Sequence, residues 1–444
     1  MYQGKLLAAA AAIATFAAAP AAAVDYTVDS DPVLFWNDLA IKTAPANAAN
    51  QARIIAAMNT AIHDAVSRSY NGADVYYNQG VSAPGGDVRA AVSVAARNVL
   101  ASLNGSNPTI VAMYDAALSA NLAKVPDGTA KTNGIATGNA YSAAMLLNRM
   151  NDGSTPPPGF SYTPGNLPGQ WRPTPPGNLA AAIPFWGQVK PFLLSSGAQF
   201  RPDGPPDLDS AEYLAAYNEV KEIGAKNSAT RTEDQRLSAL FWDVSNGTTW
   251  NRIGLDLISD DNLSTLENSR VMAKLSTAVA DALIAGFDAK YTYNFWRPVT
   301  AIREGDNDGV DGTVGDANWE SLFAAPNHPS YPSTHSLQSG AASAVLLALV
   351  KDQAFCNQIG PDMRCFDGIA DAAQDAANSR LWGGIHFRFD NEIGLATGQT
   401  IGRWALAQNA FNAVPEPASW ALMIAGFGLA GAAVRRRVVR VAYA

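Results

Sequence analysis

The chain has 444 residues, of which 48% are hydrophobic and 16% are charged, and its formal net charge at pH 7 is −8. This length and apolar content suffice for one large hydrophobic core or two ordinary ones. The acidic balance excludes a typical nucleic-acid-binding protein, because such proteins carry a surplus of basic residues. A cluster of cations in this chain therefore needs a local explanation.

The amino-terminal segment, residues 1–23, has the pattern of a signal peptide. A lysine at position 5 precedes an apolar stretch, and residues 21–23 are three alanines that form a small-residue cleavage site. The alternative is a membrane anchor, but Pro20 and the small residues interrupt the apolar span. We therefore expect cleavage near Val24 and an exported protein.

The body of the chain, residues 24–413, predicts an all-α fold. Alanine-rich segments with helical periodicity recur, and in the first of them Ile54, Ile55, Met58 and Ile62 form one apolar stripe. Strand-like alternation is scarce, so a helical bundle is the expected class. His63 lies on the flank of this first helix beside Asp64, and we interpret it as a structural histidine.

Residues 154–206 interrupt the helical pattern. They contain half of the chain's 26 prolines, together with aromatic residues such as Trp171, Trp186 and Phe192. Proline does not sustain a helix, and disordered segments are usually poor in aromatics. We expect an ordered proline-rich loop that wraps around the bundle.

The acidic stretch at residues 304–316, EGDNDGVDGTVGD, raises the question of a calcium site. An EF-hand loop that begins at Asp306 would need an acidic ligand at its twelfth position, where this chain has Ala317. We favour a polar loop, with a different kind of calcium loop as the open alternative.

A first cationic motif is KYTYNFWRP, residues 290–298. Lys290 and Arg297 are seven residues apart, which places them on one face of a helix. Pro298 disfavours helix at the preceding residue and predicts that the helix ends at Arg297. Two cations then project from one helix end, although the same spacing also fits a solvated surface.

A second motif is NHPSYPSTHS, residues 327–336. Ser333, Thr334 and His335 precede a helix that we expect to begin near Ser336. A helix start offers unpaired N–H groups and a partial positive charge, both suited to an oxyanion. Ser333 can add a hydroxyl donor, and His335 can carry a proton near neutral pH. The alternative is an ordinary serine helix cap with a surface histidine.

The chain's two cysteines, Cys356 and Cys365, enclose eight residues. In an exported protein this spacing suggests one disulfide that closes a surface loop. Histidines that would complete a zinc site are missing from the neighbourhood.

A third motif is NSRLWGGIHFRFD, residues 378–390. Arg380 and His386 are six residues apart, about 240° around a regular helix, which would point them in different directions. The glycines at 383–384 permit a break that brings both side chains onto one ligand. Asp390 can then accept a hydrogen bond from one imidazole nitrogen and orient the ring. The alternative is a glycine kink with a surface ion pair.

The carboxyl-terminal segment, residues 414–444, begins Val-Pro-Glu-Pro and continues with 17 apolar residues, 418–434, before three arginines. Seventeen residues are marginal for a bilayer span, and the basic end fits an inward-facing flank. This order resembles the PEP-CTERM sorting tail of Gram-negative bacteria, which an exosortase recognises and removes. A permanent anchor is the alternative, and both place the body outside the cytoplasm, with membrane contact only through the tail.

The three motifs together indicate one anion site. Lys290, Arg297 and Arg380 would neutralise a multiply charged tetrahedral oxyanion, and arginine forks suit paired oxygens. His386 offers a nitrogen nucleophile or ligand, and His335 a general acid or base. A non-catalytic surface or exopolysaccharide-associated protein is the rival class, but a scaffold gains little from three cations around one histidine.

The order Lys-x6-Arg-Pro, Pro-Ser-x-His and Ser-Arg-x5-His-x3-Asp resembles the vanadium-dependent haloperoxidases. Related families are the type-2 phosphatidic acid phosphatases and the bacterial acid phosphatases. The flanking residues are similar to the bacterial haloperoxidase-like branch in particular. The motifs cover about 100 residues, and a looser resemblance extends over residues 31–409. The family fold is an α-helical bundle.

By position, the resemblance implies that six residues hold a bound vanadate: Lys290, Arg297, Ser333, Thr334, Arg380 and His386. His386 would bond the vanadium directly, and Thr334 would contribute its backbone N–H. His335 would be the acid or base that assists peroxide binding, and Lys290 would polarise the peroxide. Asp390 would orient His386.

The implied activity is the oxidation of halide by hydrogen peroxide, with halogenation of an organic substrate. Phosphate is nearly isosteric with vanadate and can occupy the same site. With a phosphate ester bound, His386 would be the nucleophile and His335 would protonate the leaving group, as in an acid phosphatase. The resemblance says nothing about oligomeric state.

Two positions refine the resemblance. The family usually has glycine where this chain has Thr334, so the threonine side chain must point away from the oxyanion while its N–H is retained. His328 falls at a halide-pocket position that is histidine in bromide-oxidising members, which favours bromide or iodide. The alternative is a loop histidine with no halide role.

Overall fold

The computed structural model describes residues 25–70, 75–76, 85–359 and 362–408. The predicted signal peptide and the predicted sorting tail lie outside these ranges. Across the described part of the chain the fold is mostly helical, as the sequence predicts. No helix within those ranges is long and apolar enough to cross a bilayer.

Thirteen α-helices are present in the described ranges, with one 3-10 turn at Trp186–Gln188. Their bounds are α1 Pro32–Lys42, α2 Ala48–Ser69, α3 Val88–Leu103, α4 Pro108–Ala123, α5 Thr129–Arg149, α6 Ala211–Ile223, α7 Glu233–Phe241, α8 Asn246–Asp260, α9 Thr265–Tyr293, α10 Pro298–Glu304, α11 Thr334–Leu349, α12 Ile369–Trp382 and α13 Arg388–Ala407.

Helix α9 is the axis of the bundle. It begins with a capping box in which Ser264 and Glu267 bond each other's backbone N–H groups, and 21 of its 29 residues are buried. Helices α2, α8, α11 and α13 pack around it. His63 of α2 is fully buried, with its Nδ1 3.0 Å from the hydroxyl of Ser269 in α9. The prediction of a structural histidine is confirmed.

The proline-rich segment 154–206 is an ordered loop on the bundle surface. Trp171 and Trp186 in it are buried. Asp281, a buried residue of α9, accepts hydrogen bonds from the three successive N–H groups of residues 192–194, at 2.7, 2.7 and 3.0 Å. One carboxylate therefore attaches the end of the loop to the central helix.

A short hairpin separates α11 from α12. Strands β1 (Phe355–Ile359) and β2 (Asp362–Phe366) pair antiparallel, with Cys356 directly opposite Cys365. The two cysteines form a disulfide, as predicted. The strand pairing itself was not predicted, since the sequence indicated only a closed loop.

The acidic stretch 304–316 is a polar loop that follows α10. Asp306 accepts a hydrogen bond from the N–H of Gly315, and Asp308 accepts from Val310 N–H and Thr313 Oγ1. In the described part of the chain no group of three or more histidine, cysteine, aspartate or glutamate side chains is arranged to hold a metal ion.

Candidate anion-binding site

The first cationic motif does not lie on one helix. Asn294 adopts a left-handed conformation with φ 50° and ends α9 at Tyr293. Arg297 is extended, as expected before a proline, and immediately precedes α10. The prediction that Lys290 and Arg297 share a helical face was therefore wrong. They converge because both reach the loop that leads into α11.

Lys290 anchors this loop. Its buried ammonium donates to the carbonyl oxygens of Pro329, Ser330 and Pro332 at 2.9, 2.6 and 2.6 Å. Three acceptors use all three of its N–H donors. Burial, reinforced by the nearby Arg297, lowers the pKa of Lys290 well below its usual range.

Arg297 joins the second motif to the third. Its Nε donates to the carbonyl oxygen of His328 at 2.9 Å, and one terminal nitrogen donates to the carbonyl oxygen of Ile385 at 2.7 Å. The terminal nitrogens also lie 3.1 Å from His386 Nε2 and 3.0 Å from His328 Nδ1. The guanidinium is fully buried, and burial lowers the pKa of Arg297 to about 9.

Helix α11 begins at Thr334, two residues earlier than predicted, with Ser333 as its cap. Ser333 Oγ accepts from the N–H of Ser336 at 3.3 Å and from its hydroxyl at 3.0 Å. The Ser333 hydroxyl hydrogen remains available as a donor. The N–H groups of Thr334 and His335 lie in the first turn, where no intrahelical acceptor exists. Cap and anion site are therefore compatible.

The side chain of Thr334 packs against α9. A Cβ atom placed on Gly286 would lie only 2.6 Å from Thr334 Cγ2, so the threonine methyl group occupies the space left by this glycine. Gly286 thus makes room for the side chain of Thr334, the position at which the resemblance led us to expect glycine.

His335 and Arg380 both bond the segment that joins α7 to α8, residues 242–244. His335 Nε2 lies 3.1 Å from the Trp242 carbonyl oxygen and 3.0 Å from that of Val244. Both partners are acceptors, so Nε2 carries the proton and Nδ1 is the nitrogen left for proton exchange. Arg380 donates to the same Trp242 oxygen at 2.9 Å and lies 3.5 Å from an Asp243 carboxylate oxygen.

Sequence reasoning missed this segment, because a tryptophan and an aspartate after an amphipathic helix carry no distinctive pattern. Burial and the positive charge of Arg380 lower the pKa of His335 well below its ordinary value.

His386 lies in the turn between α12 and α13, where Gly384 has φ +76°. Its Nδ1 is 2.9 Å from Asp390 Oδ2, the contact that the four-residue spacing predicts. The same oxygen accepts from Ser330 Oγ at 2.5 Å and from the N–H of Phe387 at 3.1 Å. Nδ1 is thereby the protonated nitrogen, and the lone pair of Nε2 faces Arg297. Ser330 was not predicted, and its only signal is its place in the proline-bracketed motif.

The protonation states follow from burial. Desolvation, reinforced by Arg297 and Lys290, lowers the pKa of His386 well below its usual value and keeps the ring neutral. Burial raises the pKa of Asp390 to about 6. His328 stacks on Phe287, with ring centroids 5.2 Å apart, and the pKa of His328 is lowered by burial and by Arg297.

The charge balance of the pocket is positive. Lys290, Arg297 and Arg380 are at most 3% exposed, whereas Asp390 is the one fully buried carboxylate that contacts the site in the described structure. Arg380 Nε is also a buried donor with no acceptor among the described residues. Buried charge without compensation is unfavourable, so an anion would complement this cluster.

A tetrahedral oxyanion such as vanadate fits these residues. Arg297, Arg380, the Ser333 hydroxyl and the first N–H groups of α11 would hold its oxygens, and His386 Nε2 would be the nitrogen ligand. Among the described residues Arg297 has one uncommitted N–H group, because four of its five face carbonyl oxygens or histidine nitrogens, His386 Nε2 among them. Lys290 has none, because its three donors already bond carbonyl oxygens. It would contact the oxyanion only by exchanging one of them.

Fold and site together define an all-α protein in which three buried cationic side chains and two histidines converge at the start of one helix. Residues 270–413 match the family described as the VCPO second helical-bundle domain. Residues 413–437 match the PEP-CTERM protein-sorting motif. The first match contains every predicted site residue.

The chain is 28% identical over 193 residues to a vanadium chloroperoxidase of Curvularia inaequalis, covering 36% of this chain and 31% of that relative. It is 30% identical over 172 residues to a vanadium-dependent bromoperoxidase of Ascophyllum nodosum, covering 35% and 26%. The chain thus spans about a third or less of the length of these relatives.

The fold is similar to the crystal structure of a bacterial vanadium-dependent iodoperoxidase, with a TM-score of 0.71, 26% identity, and coverage of 87% of this chain and 96% of the other. A bacterial vanadium-dependent chloroperoxidase shares the fold at a TM-score of 0.65 and 18% identity, covering 83% and 96%. The matched region and the shared fold support a relationship between this chain and the vanadium haloperoxidase superfamily.

Proposed function

We propose that this chain is an exported vanadate-dependent haloperoxidase that uses hydrogen peroxide to oxidise halide and so halogenates organic substrates. The observation that carries the proposal is the neutral His386, which Asp390 orients so that its Nε2 lies 3.1 Å from Arg297, in a cluster that also contains the buried Lys290 and Arg380. Bound vanadate would supply the Lewis-acidic centre at which peroxide is activated.

The residues divide the remaining work. Arg297 and Arg380 hold and neutralise oxyanion oxygens from two sides, and Ser333 donates at the start of α11. Asp390 keeps the proton of His386 on Nδ1, which maintains Nε2 as a ligand. His335 Nδ1 accepts or returns a proton while its Nε2–H stays on carbonyl oxygens. Lys290 fixes the geometry of the loop that leads into α11 and adds positive charge beside the oxyanion.

Bromide or iodide is the proposed halide. His328 lies beside Arg297 at the predicted halide position, with its Nδ1 3.0 Å from the guanidinium. The similarity at 26% identity to a protein described as an iodoperoxidase also supports this preference.

An acid phosphatase is the second candidate, because the same neutral His386 Nε2 can attack a phosphate ester held by the same donors. His335 would then protonate the leaving group. A non-catalytic surface protein is the remaining alternative. It predicts that His386→Ala and His335→Ala leave the biological function unchanged.

We propose that the protein acts outside the cytoplasm, at the surface of a Gram-negative bacterium. The PEP-CTERM match supports sorting by an exosortase-type machinery. The predicted signal peptide is consistent with this route.

The deciding experiment is reconstitution with vanadate. Purified protein given vanadate, peroxide and bromide is expected to brominate a dimedone-type reporter, while His386→Ala and vanadate-free protein do not. Hydrolysis of phosphate esters without vanadate, combined with no bromination in its presence, would establish the phosphatase instead.

A further inference from the structure

Two of the proposed anion-site residues depend on one carbonyl oxygen. The Trp242 carbonyl accepts from Arg380 at 2.9 Å and lies 3.1 Å from His335 Nε2. Arg380 and His335 come from different helices, α12 and α11. A shift of this oxygen would therefore move an anion-holding group and the proton carrier together.

Trp242 is held by its indole ring as well as by the end of α7. It is the cap residue after α7, and its N–H still donates to the Ser238 carbonyl oxygen at 3.1 Å, whereas its own carbonyl oxygen faces His335 and Arg380. The indole is fully buried and stacks on Trp250 with ring centroids 5.9 Å apart and planes at 25°. Its Nε1–H donates to Asp375 Oδ2 at 2.8 Å. This hydrogen bond sets how the ring sits between its neighbours.

Asp375 is the centre of a polar cluster behind the site. Its Oδ2 also accepts from Ser238 Oγ at 2.9 Å, and both carboxylate oxygens accept from Arg364, each at 2.7 Å. Arg364 lies on β2 of the disulfide-linked hairpin, next to Cys365. The carboxylate is therefore fixed from three elements, and only one of its bonds reaches toward the anion site.

We infer that Trp242 and Asp375 are positioning residues: the Asp375 carboxylate orients the Trp242 indole, and the Trp242 carbonyl then aligns Arg380 and His335 for the bound oxyanion. Neither side chain touches the oxyanion. The inference rests on the proposed anion site and adds residues that none of the three sequence motifs contains. It also connects the hairpin to the site.

Physically, the alignment matters because a guanidinium fork and an imidazole must meet a small rigid anion at hydrogen-bond distance. Arg380 Nε is without an acceptor among the described residues, so it is available to the oxyanion when the guanidinium is correctly rotated. The bond of its other nitrogen to the Trp242 oxygen sets that rotation. Losing the indole N–H would allow the ring, and with it the carbonyl, to relax.

The test measures anion affinity in the full-length protein. Trp242→Phe removes the indole N–H and keeps an aromatic ring. Trp36→Phe is the matched control, since Trp36 is equally buried and donates to Ser93 Oγ at 3.1 Å, far from the site in the chain. Dissociation constants for orthovanadate and for inorganic phosphate are measured by titration calorimetry, and thermal unfolding is recorded in parallel.

We expect Trp242→Phe to weaken vanadate and phosphate binding by roughly five- to tenfold, and Trp36→Phe by less than about twofold. Asp375→Asn should act in the same direction and provides the test if Trp242→Phe does not fold. In an Arg380→Ala background, Trp242→Phe should add less than about twofold to the loss of affinity, because the proposal assigns anion holding to Arg380 and proton transfer to His335.

Unchanged affinity in Trp242→Phe and Asp375→Asn, with wild-type protein binding normally, would overturn this inference and leave the proposed function intact. The inference would also be overturned if Trp36→Phe weakened anion binding as much as Trp242→Phe does. The same holds if Trp242→Phe weakened binding as much in the Arg380→Ala background as it does in the wild type. Wild-type protein that binds neither anion would instead refute the anion site on which both proposals rest.

Discussion

The packing of Thr334 on Gly286 predicts that Gly286→Ala is destabilising although alanine is the better helix former. A Cβ at position 286 would lie 2.6 Å from Thr334 Cγ2 and 3.1 Å from Leu337 Cδ1. The first distance is shorter than real Cβ contacts allow, so α9 and α11 must move apart at the start of α11. Overpacking of this kind costs about 1–3 kcal/mol.

Thr334→Ser should relieve the clash, because serine lacks the Cγ2 atom that the new methyl group at position 286 would meet. The Thr334 Cβ would then be 3.7 Å from the new methyl group, which is ordinary contact. The double variant Gly286→Ala with Thr334→Ser should recover most of the lost stability, giving a coupling energy of roughly 1–3 kcal/mol. Thr334→Ser alone should cost about 1 kcal/mol for the missing methyl group.

The assay is equilibrium unfolding in urea for the four members of this cycle, with vanadate affinity measured alongside. Gly247→Ala in α8 is the matched control, because its new Cβ would lie 3.4 Å from Ala52 Cβ, an ordinary contact. We expect this control to be neutral or stabilising by up to about 1 kcal/mol. If Gly286→Ala is as stable as the wild type, or if Thr334→Ser fails to restore it, the packing argument is wrong.

Three further changes test other parts of the structure. In the wild type, His328 should take up a proton on unfolding below pH 6.5, because burial and Arg297 hold its folded-state pKa well below 6.5. The variant His328→Gln has no such group. The wild type should therefore lose stability relative to the variant by about 1.4 kcal/mol per pH unit as pH falls below 6.5, and parallel pH profiles of the unfolding free energy would contradict this. Lys290→Met should leave three buried carbonyl oxygens without their donor and lower the unfolding free energy by more than about 3 kcal/mol, whereas a small loss in calorimetry would mean that the loop holds itself. Asp281→Ala should release the loop end at residues 192–194 and speed proteolysis within 154–206, while a cleavage rate equal to that of the wild type would show that the aromatic contacts suffice.

The sequence alone was enough to predict the class of fold and to single out most of the residues that the structure brings together at the start of α11. Helical periodicity and the scarcity of strand patterns indicated a bundle, because burial of one face imposes a period that can be read without coordinates. The spacing of His386 and Asp390 predicted their hydrogen bond, since four residues fix the separation locally. The pairing of Cys356 and Cys365 was also predicted, because they are the only two cysteines in the sequence and they enclose a short loop.

Tertiary structure decided everything that depends on where chain segments far apart in sequence meet. Arg297 reaches the site from outside α9, because a left-handed Asn294 ends that helix early. Apart from the Asp243 carboxylate beside Arg380, the 242–244 segment enters the site through its backbone carbonyl oxygens, which leave no residue-type signature in a sequence. The direction of Thr334 is likewise set by Gly286, 48 residues earlier, through a gap that exists only when α9 and α11 pack together. Side-chain identity can be read from the chain, whereas backbone acceptors and empty space are created by packing.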